Sequence, residues 1–279
     1  MKVGYLQFKP KLFDIEENIR RIDELIGDND FDLLVIPELA STGYLFVNKS
    51  ELQKYSVPAG EGIYFEYLRY TCKRKDCYIV SGFCEKTPHP QTLSLKERGE
   101  SPMFYNSSVF VYPDGDYKVY RKIHLFNEEK FLFEPGNLPF EVYEIEGKRF
   151  GKARVGMMIC FDWIFPEAAR VLALKGAQII CHPSNLVMPY CQKAMYARAV
   201  ENHVFIITAN RFGKDVNGNK EVEFSGRSVI LNTKGDYIAE GSADNDECTI
   251  VEINQYEAND KMINENNNVI QDRREEFYN

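Results

Sequence analysis

The amino-acid sequence predicts an α/β fold with one mixed sheet covered by helices. Short apolar runs of strand length alternate along the chain with segments whose apolar residues recur at helical spacing. Hairpin turns such as residues 113–116, Pro-Asp-Gly-Asp, join other strands, so the sheet combines parallel and antiparallel pairs. No composition break, internal repeat or low-complexity tract divides the 279 residues. We therefore expect a single domain over residues 1–253, followed by a polar C-terminal arm over residues 254–279.

The individual elements are predicted from apolar periodicity and from the residues that begin and end each run. Asp14 precedes isoleucines at helical spacing, and Pro166 and Gly176 are placed to begin and end a later helix. Predicted strands cover residues 2–8, 31–36, 77–83, 105–112, 117–121, 140–145, 154–159, 178–182, 204–209, 228–231, 237–239 and 249–253. Predicted helices cover residues 14–26, 63–74, 166–175 and 190–202. Residues 85–102, which are polar and rich in Pro and Ser, are predicted as a loop.

The charge of the chain argues against two classes of partner. The sequence has 34 basic and 42 acidic side chains, a formal net charge of −8. No stripe of Lys or Arg interleaved with aromatic residues occurs, so we expect no nucleic-acid or anionic-membrane partner. No run approaches the roughly 20 apolar residues of a membrane span. The sequence therefore predicts no membrane-spanning helix.

The cysteines and histidines bear on compartment and on metal binding. Seven scattered cysteines, an odd number, in a chain that begins MKVGYLQFKP without an apolar signal core favour a reduced, cytoplasmic protein. The sequence contains no CxxC and no HxxxH, which are spacings typical of metal ligands. We therefore expect no metal site.

Cys160 lies in GMMICFDWIFPE, where an apolar strand ends and a helix is predicted to begin at Pro166. Amide N–H groups and the positive end of a helix dipole near this position favour a thiolate and the anions that form during nucleophilic attack. The alternative is a buried cysteine that acts only as a small apolar residue, which is the commoner role of a lone cysteine. This segment alone leaves both interpretations open.

Three charged residues are further candidates for chemistry. Glu38 follows an apolar strand in VIPELASTGY, where a partly buried carboxylate could serve as a general base, although a surface loop glutamate is the simpler interpretation. Lys122 ends a strand whose alternation leaves one basic residue facing inward, and a buried ammonium needs carboxylate partners. Its alternative is an ordinary edge-strand lysine. Glu129, in FNEEKFLFEPG, could be such a partner or only a loop charge.

Histidine offers a competing hypothesis. His124, His182 and His203 could each form a Cys-His pair with the candidate thiol, as in thiol proteases. A histidine at the end of a strand is more often a hydrogen-bonded structural residue. The sequence alone does not test the geometry.

Taken together, Glu38 after its apolar strand, Lys122 in RKIHLF and Cys160 in GMMICFDWIFPEAAR resemble the motifs of the nitrilase superfamily of carbon-nitrogen hydrolases. The resemblance covers almost the whole chain, including the segments EKFLFEPG, ALKGAQIICHPSNLV, YARAVENHVFIITANR, FSGRSVILNTKGD and DRREEFYN. Within the superfamily, the sequence looks most like thermophilic archaeal nitrilase-like amidases.

The resemblance implies a four-layer αββα sandwich and a Glu-Lys-Cys triad. By position, it makes Glu38 the general base, Lys122 the oxyanion stabiliser and Cys160 the nucleophile. Glu129 matches a second glutamate of the family, whose suggested role is to orient the lysine and the substrate. The backbone N–H of Phe161 would be the other oxyanion donor. This chemistry needs no cofactor.

The resemblance leaves the substrate open between an amide, an N-carbamoyl amine and a nitrile. Many nitrilases resemble Cys-Trp-Glu after the nucleophile, whereas this chain has Cys-Phe-Asp-Trp at residues 160–163, closer to amidases and carbamoyl-amine hydrolases. We therefore expect an amidase that forms a thioester, with a nitrilase acting on small aliphatic nitriles as the second possibility. A catalytically silent binding member of the family is the third.

Substrate contacts and assembly are also expected from the resemblance. Tyr44, Phe161, Trp163 and Asn185 are candidate walls of the substrate site, each with an equally reasonable role in packing. Pocket width should depend on the loops at residues 40–48, 127–134 and 186–191. Family members associate through helices near the nucleophile, so we expect a homodimer or a larger even homo-oligomer, with residues 254–279 lying on a partner subunit.

Overall fold

Two six-stranded sheets form the centre of the molecule. The computed structural model describes residues 1–88 and 102–278. The strands are β1 (Lys2–Gln7), β2 (Leu33–Ile36), β3 (Tyr78–Thr87), β4 (Met103–Val111), β5 (Tyr117–Arg121), β6 (Val142–Gly147), β7 (Gly151–Met157), β8 (Ile179–Pro183), β9 (Phe205–Ala209), β10 (Phe212–Asn217), β11 (Lys220–Ser225), β12 (Val229–Leu231), β13 (Tyr237–Glu240) and β14 (Glu247–Glu252). The helices are α1 (Ile15–Ile26), α2 (Lys49–Tyr55), α3 (Ile63–Lys75), α4 (Glu129–Leu132), α5 (Pro166–Leu174) and α6 (Cys191–Asn202). Three 3₁₀ helices lie at Cys160–Ile164, Gln255–Asn259 and Glu275–Phe277.

The two sheets have the same arrangement of parallel and antiparallel strands. The first has the order β14-β1-β2-β3-β4-β5, and the second has the order β13-β12-β9-β8-β7-β6. In each sheet three neighbouring strands are parallel, β1 to β3 in one and β7 to β9 in the other, while the flanking strands pair antiparallel. Open parallel sheets place binding sites beyond the carboxyl ends of their strands. The residues that follow β2 and β7 therefore lie where a binding site is expected.

Side-chain alternation along the strands builds four layers. On β2, Leu33 and Val35 belong to the core between the two sheets, whereas Leu34 and Ile36 pack with α1 and α3 on the outside. The second sheet packs its outer face on α5 and α6; a Cβ atom added at Gly156 of β7 would meet the Leu172 side chain at 2.7 Å. Full burial of each such aliphatic side chain is worth about 1.5–3 kcal/mol. The expected αββα sandwich is confirmed.

The same alternation explains why the residue pattern alone was wrong about the number of sheets. Each strand of the central core is apolar on both faces, as the fully buried β2 shows, and this pattern is identical for one sheet and for two stacked sheets. The prediction of one mixed sheet is therefore corrected to two. The predicted loop at 85–102 is also corrected at its start, because β3 continues to Thr87. Residues 89–101 of that loop lie outside the described residues.

One hairpin, β10–β11, and the short helices α2 and α4 were not predicted, and α4 lies within the expected loop at residues 127–134. The hairpin residues are mostly polar, and only part of the hairpin is buried. Its two-residue turn is Gly218-Asn219, and Gly-Asn between two short runs is a hairpin signal that the apolar periodicity overlooks. The hairpin lies over the first sheet's loops, where the Asn217 amide donates to the backbone oxygen of Leu45 at 3.0 Å.

The segment after β14 begins on its own subunit. The Gln255 side chain is buried and donates to the backbone oxygen of Phe150 at 2.6 Å. The Lys261 ammonium donates to the backbone oxygens of Asn202 and His203, at the carboxyl end of α6. Whether the rest of residues 254–279 lies on a partner subunit stays a prediction. Among the described helices, none has both the length and the apolar character required to span a bilayer.

Candidate active site

Three charged side chains meet in the buried interior. The Lys122 ammonium donates to Glu38 Oε1 at 2.7 Å and to Glu129 Oε1 at 2.9 Å. Glu38, Lys122 and Glu129 are only 0%, 1% and 3% exposed. Charges buried to this degree are tolerated only when they are paired and hydrogen-bonded. The sequence-based alternatives of a surface Glu38 and an edge-strand Lys122 are therefore wrong.

Different strands bring these residues together. Glu38 follows β2, and its backbone presses so closely on β3 that a Cβ atom at Gly82 would lie 2.5 Å from Glu38 Cα. Only glycine fits at this contact, because real side chains do not approach so closely. Lys122 follows β5, and its backbone N–H donates to the oxygen of Asn106 at 2.8 Å. Glu129 begins α4.

Asn106 completes the polar cluster. Its side-chain amide donates to Glu38 Oε1 at 2.7 Å and to Glu129 Oε1 at 3.4 Å. Glu129 Oε2 accepts a further bond from the backbone N–H of Phe126 at 2.8 Å. Sequence reasoning missed Asn106, which begins the polar stretch Asn-Ser-Ser in the middle of β4, a strand that is buried from Phe104 to Val111.

Two carboxylates share one ammonium, and this arrangement shifts the proton affinities. Burial raises the pKa of Glu38; the charge of Lys122 opposes this and the charge of Glu129 adds to it, so the pKa lies above its ordinary value. Burial alone would lower the pKa of Lys122, but the charges of Glu129 and Glu38 outweigh it and raise that pKa well above the ordinary value. Lys122 therefore keeps its positive charge, and Glu38 has an increased affinity for a proton.

Cys160 lies at the end of the β7 segment, at the first residue of a 3₁₀ helix, with a positive φ of 39°. Such a φ is strained for a residue with a side chain, and strain of this kind concentrates at functional sites. The thiol is 6% exposed, and it donates to the backbone oxygen of Asn185 at 3.7 Å. Burial and the charge of Glu38 raise the pKa of Cys160 well above its ordinary value, with Lys122 opposing them. The resting residue is a thiol, which needs a base before it can attack.

The turn around Cys160 is held by Asp162. This fully buried carboxylate accepts from the backbone N–H of Ile159 at 2.9 Å and from the Tyr120 hydroxyl at 2.8 Å. Its other oxygen contacts the His124 ring nitrogen Nδ1 at 2.7 Å and the His124 backbone N–H at 3.2 Å. One side chain thus joins the thiol-bearing turn to the residues on both sides of Lys122.

His182 contacts the backbone of Cys160 rather than its sulfur. Its Nε2 lies 2.9 Å from the Cys160 oxygen, and its Nδ1 lies 3.0 Å from Thr208 Oγ1. Burial lowers the pKa of His182 to about 4, so the ring is neutral. An Nε2–H that donates to the Cys160 oxygen cannot at the same time take the thiol proton. The geometry argues against a Cys160–His182 pair, and His203 lies at the far end of α6.

Asn185 bridges the base and the thiol. Its side-chain amide donates to the backbone oxygen of Glu38 at 2.9 Å, while its own backbone oxygen accepts from Cys160. Three buried acceptors of this cluster, Glu38 Oε2, Asn106 Oδ1 and Asn185 Oδ1, receive no hydrogen bond from the residues that the structure describes. Buried acceptors are usually satisfied, so these atoms point to a missing donor.

Two cavities adjoin this cluster. The larger, about 430 Å³, is lined by Glu129 and by Tyr44, and burial together with the charges of Glu129, Glu38 and Cys160 raises the pKa of Tyr44. The smaller, about 10 Å³, is lined by Cys160, Phe161, Trp163 and Asn185 among others. All four residues expected to contact substrate therefore line one of the two cavities.

Comparison with known proteins decides the family. A family model described as "Carbon-nitrogen hydrolase" matches residues 2–260. The chain belongs to the carbon-nitrogen hydrolase family. It is an enzyme family, and hydrolysis of carbon–nitrogen bonds is the reaction that its name states.

Individual relatives of this carbon-nitrogen hydrolase carry different names. It is 40% identical to a protein of Pyrococcus abyssi named nitrilase, over 100% of this chain and 99% of the relative. It is 31% identical to an (R)-stereoselective amidase of Pseudomonas, over 88% of this chain and 82% of the relative. A solved carbon-nitrogen hydrolase from Helicobacter pylori has a TM-score of 0.78 at 23% identity, covering 100% of this chain and 97% of that one. The archaeal resemblance and the sandwich fold are thereby confirmed.

The structure of this carbon-nitrogen hydrolase brings Glu38, Lys122 and Glu129 into direct contact, and Cys160 lies close enough for their charges to shift its pKa. It adds Asn106, which the sequence did not single out. Within residues 1–88 and 102–278, no three His, Cys, Asp or Glu side chains form a group that could hold a metal ion. The seven cysteines are all free thiols.

Proposed function

We propose that this carbon-nitrogen hydrolase cleaves small amides to a carboxylic acid and ammonia through a thioester on Cys160. The observation that carries the proposal is the pair of unpartnered buried acceptors, Glu38 Oε2 and Asn185 Oδ1, beside the thiol. A primary amide brings an NH₂ group with two hydrogens to donate, whereas a nitrile nitrogen has none. An N-carbamoyl amine ends in the same NH₂ group and belongs to the same substrate class.

The acylation half of the reaction follows from the positions of the charges. Glu38 takes the proton of Cys160, and the sulfur bonds to the amide carbon while the carbonyl electrons move to oxygen. The Lys122 ammonium and the backbone N–H of Phe161, in the first turn of the 3₁₀ helix, hold the oxyanion. The carbon–nitrogen bond then breaks as Glu38 returns its proton to nitrogen. Ammonia leaves, and a thioester remains.

The deacylation half uses the same base. Glu38 takes a proton from water, the hydroxide oxygen bonds to the thioester carbon, and the carbon–sulfur bond breaks as the proton returns to sulfur. The sum is amide and water in, acid and ammonia out. A base with a raised proton affinity suits this exchange, because it must both accept and release a proton in each half. Glu129 and Asn106 hold Lys122 and Glu38 in place.

A nitrilase activity is the second candidate, and the 40% identity over the full length to a protein named nitrilase favours it. The same thiol can attack a nitrile carbon to give a thioimidate, which water converts to the thioester with release of ammonia. The amide proposal ranks first because the nitrile leaves both free acceptors unpaired.

The test is ammonia release from three sets of substrates: aliphatic amides, N-carbamoyl amines and aliphatic nitriles. We expect release from amides, with Cys160→Ala inactive and Cys181→Ala active as the matched control, because Cys181 is an equally buried thiol on the neighbouring strand β8. Activity that persists in Cys160→Ala would disprove the nucleophile. Release from nitriles alone would replace the amidase proposal with the nitrilase one, and no release from any substrate, with thioester trapping also negative, would favour a silent binding protein.

We further propose a homodimer or larger even assembly in a reducing, cytoplasmic setting. Ile164, Leu174 and Tyr196, on or beside α5 and α6, are 40%, 43% and 51% exposed, and these apolar side chains would suit an interface. Seven free cysteines, and no disulfide among the described residues, suit a reducing compartment. Light scattering at micromolar concentration should give a mass of two or more chains, and a monomer mass would contradict the assembly. Fractionation of cells that express the full gene tests the location.

A further inference from the structure

We propose that the substrate is a primary amide on an unbranched carbon, attached to an uncharged apolar body that occupies the larger cavity. This inference rests on the proposed amidase function. It assigns Phe126 and Val187 as the residues that select for this shape, a role separate from that of the catalytic cluster.

The space beside the sulfur is narrow. The cavity lined by Cys160 measures about 10 Å³, roughly the smallest space that holds one water molecule. Phe161 and Trp163 close one side of it, and Asn185 closes another. An NH₂ group or a carbonyl oxygen is about the size of a water molecule, but a substituent on nitrogen or a branch on the neighbouring carbon is larger. The reacting end of the substrate must therefore be slender.

The larger cavity is wide and largely apolar. It measures about 430 Å³, and much of its lining is apolar, with Phe46, Leu132, Phe133 and Val222 around the polar floor of Glu129. Ligand pockets of roughly 300–1,000 Å³ hold drug-sized molecules, so this one is larger than acetamide needs. A substrate that fills it would bury a substantial apolar group.

The charges at the mouth of this cavity are already paired. The Lys220 ammonium lies 2.6 Å from Glu128 Oε2, and Lys214 lies 3.1 Å from Glu221 Oε1. Each lining charge among the described residues thus has an opposite charge beside it, since the remaining carboxylate, Glu129, binds Lys122. The lining therefore does not favour a charged group, and an uncharged body suits its apolar side chains.

Phe126 and Val187 line both cavities. Phe126 is fixed by its backbone N–H, which donates to Glu129 Oε2 at 2.8 Å, and its ring packs on Phe161 with centroids 5.1 Å apart. Val187 follows Asn185 and the buried Leu186 on the opposite loop, with its side chain half-buried. A substrate that reaches from one cavity to the other passes between these two side chains.

The test compares kcat/KM for acetamide, butyramide and hexanamide with that for 2,2-dimethylbutyramide, a branched isomer of hexanamide. Each added CH₂ in the straight chain should raise kcat/KM about fourfold, which corresponds to about 0.8 kcal/mol of buried CH₂. The branched isomer should fall below hexanamide by roughly tenfold or more, the scale of an overpacked contact. N-methylhexanamide should be inactive.

Two variants test whether Val187 is the residue that selects against the branched amide. Val187→Ala should narrow the ratio between hexanamide and its branched isomer, because it widens the passage. Val222→Ala, a matched loss of two methyl groups in the larger cavity, should reduce the gain with chain length and leave that ratio unchanged. Thermal unfolding of both variants checks that they are folded, and Val187→Leu, which should widen the ratio, repeats the test in the other direction.

Equal kcat/KM values along the straight chain, or a branched isomer turned over as well as hexanamide, would overturn this inference while leaving the amidase function intact. Absence of ammonia release from every amide would instead overturn the proposed function itself. A Val222→Ala effect on the branched ratio equal to that of Val187→Ala would remove the assignment of Val187.

Discussion

The Asp162 carboxylate accepts the Tyr120 hydroxyl at 2.8 Å, and this bond ties the turn of Cys160 to the strand that leads to Lys122. The same carboxylate accepts the N–H of Ile159, immediately before the thiol, at 2.9 Å. Tyr120 in turn lies two residues before Lys122, and its oxygen accepts the N–H of Ile123 at 3.4 Å. One buried acid thus connects the turn of Cys160 to the strand that precedes Lys122.

Asp162→Asn should lower kcat without a matching rise in KM. The amide offers one acceptor oxygen and presents N–H groups to several donors, so at least one bond is lost, at a cost of about 1–3 kcal/mol. We expect kcat to fall roughly tenfold or more, because a small displacement of the thiol relative to Lys122 weakens attack. Tyr120→Phe, which removes a single bond, should have a smaller effect in the same direction. Steady-state kinetics with butyramide measures both, and an unchanged kcat in Asp162→Asn would contradict the positioning role.

The pH dependence should report the raised pKa of Glu38. The base must be unprotonated, so kcat/KM is lost as the pH falls through its folded-state pKa. Burial, together with the charge of Glu129, moves that pKa above the ordinary 4.5, and the acid limb should therefore have its midpoint above 4.5. Lys122 should produce no alkaline limb below its ordinary 10.5, because its pKa is raised. An acid midpoint at or below 4.5 would contradict the assignment of Glu38 as base.

Substitution of Asn106 also tests whether Glu38 is the base, because it should shift the pKa of Glu38 in a known direction. Its amide bond to Glu38 stabilises the carboxylate form and so lowers the pKa that burial raises. Asn106→Leu removes that donor at similar volume, so the acid limb of kcat/KM should move to higher pH. Ser108→Ala, another buried polar residue of β4 with a bond to the Ser81 oxygen, is the matched control and should leave the limb in place. A limb that moves to lower pH in Asn106→Leu would be incompatible with this network.

The hairpin β10–β11 should contribute to stability through a buried ion pair. Arg211, which is fully buried, donates to both carboxylate oxygens of Asp215 at 2.7 and 2.8 Å, and Asp215 Oδ2 accepts the backbone N–H of Tyr44 at 3.0 Å. Asp215→Asn leaves a buried guanidinium without a counter-charge, which typically costs about 3–5 kcal/mol. Denaturant unfolding should register this loss in the free energy of unfolding.

The exposed pair of the same hairpin is the control. Lys214 and Glu221 lie 3.1 Å apart with side chains 41% and 65% exposed, and such pairs are worth about 0–1 kcal/mol. Lys214→Gln should therefore have little effect on the free energy of unfolding. Because Asp215 also holds the Tyr44 backbone, Asp215→Asn should raise KM for long amides as well. Equal losses in the free energy of unfolding from the two substitutions would show that the buried Arg211–Asp215 pair contributes no more to stability than the exposed pair.

The sequence predicted the elements whose apolar period is strong, and its family resemblance singled out Glu38, Lys122, Glu129 and Cys160 as candidate site residues. Glu38 and Cys160 each follow a central apolar strand, a position that the sequence displays directly. The burial of Arg211, Asp215 and Asn106 could not be predicted, because the segments that cover these residues come from distant parts of the chain, such as the backbone of Tyr44 for Asp215 and the carboxylate of Glu38 for Asn106. The passage between the two cavities, which Phe126 and Val187 line, lies between two loops. The distance between these loops cannot be predicted from a local sequence pattern.

Because two carboxylates share one ammonium, the cluster should also affect how tightly the acid product binds. After hydrolysis, the acid product ionises beside Glu38 and Glu129, where a single cation already serves two anions. Like charges at this depth repel with little screening. We expect hexanoate to bind far more weakly than hexanamide, which titration of Cys160→Ala with each would reveal, and comparable affinities would refute this. The excess of buried negative charge would then speed the release of the acid and limit inhibition by product.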